Sequence, residues 1–133
     1  MRQSLSVSFE WVELKCPVKG WGFIKTIPAV YRVEFTRSIP MCYIGETHNL
    51  RNRIRIHRRG SGDPVTNLGE LWKSNESRDT LRVLTASKIL IAGGRITDLS
   101  LKVNRLLVES SAVVMAMRRA DMVLLNRGHL MDV

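Results

Sequence analysis

Cysteine is scarce in this chain: Cys16 and Cys42 are the only two among 133 residues. They have neither the spacing of a zinc-ligand set nor the density of a disulfide scaffold, so the chain reads as a reduced, intracellular protein. Long apolar runs are missing too, and none reaches the length needed to span a bilayer. The opening, MRQSLSVSFEWVELK, is interrupted by Ser and Glu and so lacks the apolar core of a signal peptide. The cytoplasm is therefore the expected location, with no membrane as partner. Internal repeats, low-complexity stretches and linkers are absent, which leaves a single α/β domain. Acidic residues are in short supply: 12 Asp and Glu stand against 21 Lys and Arg, for a net charge of +9 and a pI of about 10.4. A surplus that large in a small domain favours a polyanionic partner, nucleic acid ahead of an anionic membrane surface. The plain alternative is a generally basic soluble protein.

The remaining composition, 44% hydrophobic and 25% charged, is that of a globular domain with a core of ordinary size. Residues 4–11 alternate, with Leu5, Val7, Phe9 and Trp11 on one face, which is the period of a half-buried strand. Residues 29–36 and 41–45 read as two short strands joined through Ser38-Ile39-Pro40 in an antiparallel hairpin. On the first of them Tyr31, Val33 and Phe35 share a face, and Arg32 and Glu34 point the other way. Thr47 or Asn49 can cap a helix over 50–59 with a narrow stripe of Leu50 and Ile54. Residues 60–80 are polar and turn-rich, with one possible helical turn at 68–72. Residues 81–86 form another strand, and 87–92 are ambiguous. Asp98 is the expected cap of the longest helix, 99–119, on which Leu99, Val103, Leu106, Ser110, Val113 and Met117 repeat at helical spacing. Residues 121–126 are expected to continue as a short helical tail. The expected architecture is a small antiparallel β-sheet flanked by helices. Residues 1–28 would form an N-terminal extension that contributes one extra strand, and 29–133 the main domain.

The stretch 29–60, AVYRVEFTRSIPMCYIGETHNLRNRIRIHRRG, resembles the GIY-YIG nuclease family. Its two triplets are Ala29-Val30-Tyr31 and Tyr43-Ile44-Gly45, with eleven residues between the tyrosines. Arg53 and His57, one turn apart on the following helix, match the family's Arg and His positions. Glu109 on a later helix matches its metal ligand, and Asn126 its late Asn. The resemblance covers about 29–126 and implies a DNA endonuclease dependent on Mg²⁺, with Mn²⁺ as a possible substitute. It implies Tyr31, Tyr43, Arg53, His57, Glu109 and Asn126 as the catalytic set and Glu109 as the metal ligand. Products would carry 5′-phosphate and 3′-hydroxyl ends.

Read without the resemblance, the same residues leave alternatives open. Arg53 and His57 share a helical face with Leu50 and Ile54, which is expected to look toward the sheet. A buried Arg needs an anion, and a scissile phosphate gripped by two parallel hydrogen bonds would serve. The bland reading is an Arg that snorkels to water. Arg51, Arg55, Arg58 and Arg59 form a second stripe without an acidic partner on the helix, suited to neighbouring phosphates of DNA or simply solvated. Tyr31 and Tyr43 can be core aromatics or a polar cluster. A phenol is a poor base at neutral pH, so it needs a cation nearby, and Arg53 and the metal are the expected ones. Glu109 lies about 60° from the centre of its helix's apolar arc. It would pair with Arg105 four residues earlier or hold Mg²⁺ together with water and phosphate oxygens. Asn126 is otherwise a helix C-terminal residue.

Three departures from the family pattern matter. Ala29 stands where the first Gly is expected. Glu46 follows the second triplet where a Lys, Ser or Thr is common, and His48 lies near His57, so the two histidines compete for one role. The competing function is a non-catalytic basic nucleic-acid-binding module, which would need the arginine stripe but not the tyrosines or Glu109.

Overall fold

The computed structural model describes residues 6–15, 21, 24–59, 68–91, 94–96, 98–119 and 122–126. Its strands are β1 (Val7–Glu13), β2 (Ala29–Phe35), β3 (Met41–Thr47), β4 (Leu81–Ile91), β5 (Arg95–Ile96) and β6 (Val123–Leu124). Its helices are α1 (Leu50–Arg59), α2 (Leu68–Glu76) and α3 (Lys102–Arg119). The strands form one sheet in the order β1-β4-β2-β3-β6, with β5 hairpinned onto β4. The β3–β6 pair is parallel and the other pairs are antiparallel, so the sheet is mixed rather than wholly antiparallel. Among the described residues no helix is long and apolar enough to cross a membrane.

Alternation builds the layers. On β2, Tyr31, Val33 and Phe35 face α1 and α2, where Leu50, Ile54, Leu68 and Trp72 close one core. On the other face Val30 and Ile44 meet Val108, Ala112, Val113 and Ala116 of α3 in a second core, with Phe9 and Trp11 of β1 at its flank. Arg32 and Glu34 also point to this second face. They join Arg82 and Glu13 in an ion-pair chain across β2, β4 and β1. The alternating N-terminal segment is therefore an edge strand of the same sheet, paired to β4 from Val7↔Ile91 to Glu13↔Leu84.

Four segments depart from the expectations. The polar stretch before residue 80 contains all of α2, whose buried positions are Leu68, Gly69, Trp72 and Asn75. Strand β4 runs on to Ile91 across a bulge opposite Ser8 and Glu10, where Lys88 adopts a φ of 51°. Residues 122–126 are not helical. Val123 N donates to Pro40 O and Leu125 N to Cys42 O, so this segment extends the sheet beyond β3. Helix α3 ends where expected but begins at Lys102 and not at residue 99. Asp98 accepts from Ser100 N in a turn ahead of the helix and does not cap it. The helix is also rotated. It buries Arg105, Val108, Glu109, Ala112, Val113 and Ala116, leaving Val103, Leu106, Ser110 and Met117 exposed.

Candidate active site

The β2–β3 register places Tyr31 opposite Gly45 and Val33 opposite Tyr43, with all four on the α1 side of the sheet. A Cβ at position 45 would lie 2.5 Å from the Tyr31 hydroxyl and 2.7 Å from its Cζ. The glycine of the second triplet therefore leaves the space that the tyrosine of the first triplet fills.

Helix α1 brings the next group. The Asn49 side chain accepts from Asn52 N at 3.1 Å, and Thr47 Oγ1 accepts from Asn49 N at 3.0 Å. Asn49 is thus the cap, braced by Thr47, and Leu50 N is tied to Ile27 O. This entry angle turns Leu50, Ile54 and His57 inward. His57 Nε2 lies 2.7 Å from the Tyr31 hydroxyl in a buried hydrogen bond. Tyr43 completes a three-ring cluster, 5.5 Å from the His57 ring and 6.3 Å from that of Tyr31. His48 is exposed, which separates the roles of the two histidines.

Arg53 corrects the sequence reading in one respect: it is exposed, not buried. At about 100° per residue it sits roughly 60° from Leu50, on the shoulder of the buried face. Its charge still reaches the Tyr31 phenol and acts to lower the phenol's pKa. Burial outweighs that effect, and Tyr43, Glu109 and Glu46 add to burial, so Tyr31 titrates well above the ordinary phenol range. At neutral pH Tyr31 is a neutral phenol, and Arg53 alone does not make it a phenolate.

The α3 side supplies the carboxylates. Glu109 lies near the centre of the buried helix face and is 7% exposed. Arg105 turns to Glu46, Nε to Oε2 at 2.8 Å, and also donates to the carbonyls of Leu99 and Ser100. The acid after the second triplet is therefore neutralised from α3. Among the described residues no three His, Cys, Asp or Glu side chains gather as a self-contained metal site. A cation at Glu109 would keep most of its shell for water and phosphate oxygens. That fits Mg²⁺, which gives up its waters reluctantly and commonly uses only one or two carboxylates.

Asn126 is buried on β3 and is not a helix terminus. Its Oδ1 accepts from Ile44 N at 2.9 Å and its Nδ2 donates to Ile44 O. The side chain imitates a strand and clamps the backbone between Tyr43 and Gly45. The structure thus gathers Tyr31, Tyr43 and His57 into one cluster, with Arg53 and Glu109 within electrostatic reach of the Tyr31 phenol and Asn126 holding the strand beneath it.

The outer arginines are less uniform than the sequence suggests. Arg51, Arg55 and Arg59 are exposed, and Arg55 donates to Asn52 Oδ1 at 2.6 Å. Arg58 is half-buried and leans on Glu76 of α2 at 3.5 Å, a carboxylate that also accepts from Trp72 Nε1. The sequence reading missed the Glu46–Arg105 pair. Its only trace in the sequence is an Arg one turn before Glu109. No protein-family model, curated protein or solved structure matches the chain.

Proposed function

We propose that the chain is a GIY-YIG-type nuclease that hydrolyses DNA phosphodiesters with Mg²⁺ or Mn²⁺, leaving 5′-phosphate and 3′-hydroxyl ends. The observation that carries the reading is the buried Tyr31–His57 hydrogen bond, with an exposed arginine and a buried carboxylate both within electrostatic reach of the phenol. A core tyrosine needs no such company.

In this reading Arg53 stays hydrated until a phosphate arrives and then grips two of its oxygens. Tyr31, a neutral phenol, accepts a proton from the attacking water as it passes its own to His57 Nε2. The water oxygen bonds to phosphorus, the bond to the 3′ oxygen breaks, and that oxygen takes a proton from solvent. Tyr43 orients the water. Glu109 would hold the metal, whose charge stabilises the phosphoryl and leaving oxygens. Arg51, Arg55 and Arg59 contact flanking phosphates without reading sequence. Asn126 keeps the second triplet in register.

The test is cleavage of plasmid, linear and branched DNA, with and without Mg²⁺, by the wild-type chain and by Glu109→Gln. The substitution leaves no cavity, so the fold is retained. DNA affinity is unchanged or higher, because a negative charge near the phosphates is gone. Cleavage falls about a hundredfold or more. A folded Glu109→Gln protein that cuts at the wild-type rate removes the metal role. A wild-type chain that binds DNA but cuts with neither Mg²⁺ nor Mn²⁺ is a binding module instead.

A further inference from the structure

Helix α3 carries two apolar faces, and only one is used by the sheet. The second consists of Val103, Leu106, Val114 and Met117, with Ser110 in their midst, all exposed. At about 100° per residue these five positions fall within an arc of roughly 80°, some 130° round the helix from the buried face. Their spacing of three and four residues is that of a seam between paired helices. Val103, the most open of them, is 69% exposed.

The seam reads nearly the same in both directions. Val103 and Met117 are each seven residues from Ser110, and Leu106 and Val114 are each four. A two-fold axis through Ser110 would set Val103 of one copy on Met117 of the other, and Leu106 on Val114. The small serine at the crossing lets the two backbones approach closely. The exposed charges at the helix ends lie off the seam: Asp98 and Lys102 stand at the N-terminal end, Arg118 flanks the seam at the other end, and Arg119 points about 180° away from it. Antiparallel pairing lays each positive helix N-terminus beside a negative C-terminus. A seam that is its own complement fits an isologous contact.

We infer that the exposed face of α3 is a homodimer interface, with two copies packed antiparallel about Ser110. The inference does not depend on the nuclease reading. Each copy carries a net charge of +9, so the association is measured in about 0.5 M NaCl, where that repulsion is screened.

Two arms test it. In light scattering and sedimentation the wild-type chain runs as a dimer at micromolar concentration. Leu106→Gln with Val114→Gln runs as a monomer and keeps its circular dichroism spectrum. In the second arm Ser110→Cys, in a Cys16→Ser background, forms a disulfide-linked dimer on mild oxidation. Met115→Cys, exposed on a different side of α3, does not. This arm decides the matter even if the double variant fails to fold. A wild-type chain that is monomeric throughout overturns the inference. So does a dimer that Ser110→Cys fails to cross-link.

Discussion

Helices α1 and α3 cover opposite faces of the same sheet and are built in opposite senses. On α1 the apolar residues go in and the charges out: Leu50 and Ile54 are buried, and Arg51, Arg53, Arg55 and Arg59 are exposed. On α3 two charged residues, Arg105 and Glu109, are buried while Val103, Leu106, Val114 and Met117 stand in solvent. An exposed arginine face meets a polyanion without first losing its hydration. An exposed apolar face gains nothing from a polyanion and gains from another protein surface. The buried charges of α3 need partners at once, and Glu46 supplies one. One face of the sheet is thus covered by a helix that presents arginines outward, and the other by a helix that buries a carboxylate and presents an apolar seam.

The sharpest way to break the contrast is to remove the inward charge. Arg105 and Glu46 are only 6% and 17% exposed as side chains. Arg105→Ala therefore leaves Glu46 poorly solvated and frees two helix-entry carbonyls. The expected loss is about 3–5 kcal/mol in urea unfolding, with little change in DNA affinity for whatever remains folded. A loss below about 1 kcal/mol would show that the pair is effectively solvated.

On α1 the corresponding change costs activity and not stability. Arg53→Lys keeps the charge and loses the two-pronged geometry. Cleavage should drop about a hundredfold while the melting temperature and DNA affinity stay near wild type. Near wild-type turnover would take Arg53 out of the reacting centre. The smallest effect belongs to the outer face. Arg55→Ala with Arg59→Ala should weaken DNA binding on all sequences alike and flatten the salt dependence by up to about two units of slope. An unchanged slope would place the phosphates elsewhere.

The two helices also differ in how well the sequence announces them. On α1 one apolar stripe exists, so its period and its phase are both legible, and Asn49 marks its start. On α3 two stripes exist. Periodicity gives the helix, but the phase is set by tertiary packing against Val30 and Ile44. The stripe through Val103, Leu106 and Met117 is the more hydrophobic to read, yet the buried one contains Arg105 and Glu109. No hydropathy count favours an ion pair that forms only with a distant Glu46. Similar reasons hide the other elements. Helix α2 buries Gly69 and Asn75 among its four inward positions. Asn75 earns its place by accepting from Arg37 N and Thr80 Oγ1. The far half of β4 loses its alternation at the bulge beside Lys88. Strand β6 has two residues, too few for any period. The β2–β3 hairpin is legible because Tyr31, Val33 and Phe35 alternate on β2, and Tyr43 shares their face on β3 across the Ser38-Ile39-Pro40 turn.

The Asn126 clamp has a consequence for the order in which the molecule is made. Ile44 and Asn126 are 82 residues apart, so a growing chain presents β3 as a bare edge until nearly all the described elements exist. During that interval the strand carrying Tyr43 and Gly45 lacks its outer neighbour and is open to pairing with another chain. Formation of the β6 ladder then ends the exposure and fixes the backbone under the phenol in one event. Maturation of the Tyr31–Tyr43–His57 cluster is in this way tied to translation of the segment that closes the edge, and a ribosome-bound fragment ending before Val123 would carry every ring of the cluster on an unsealed strand.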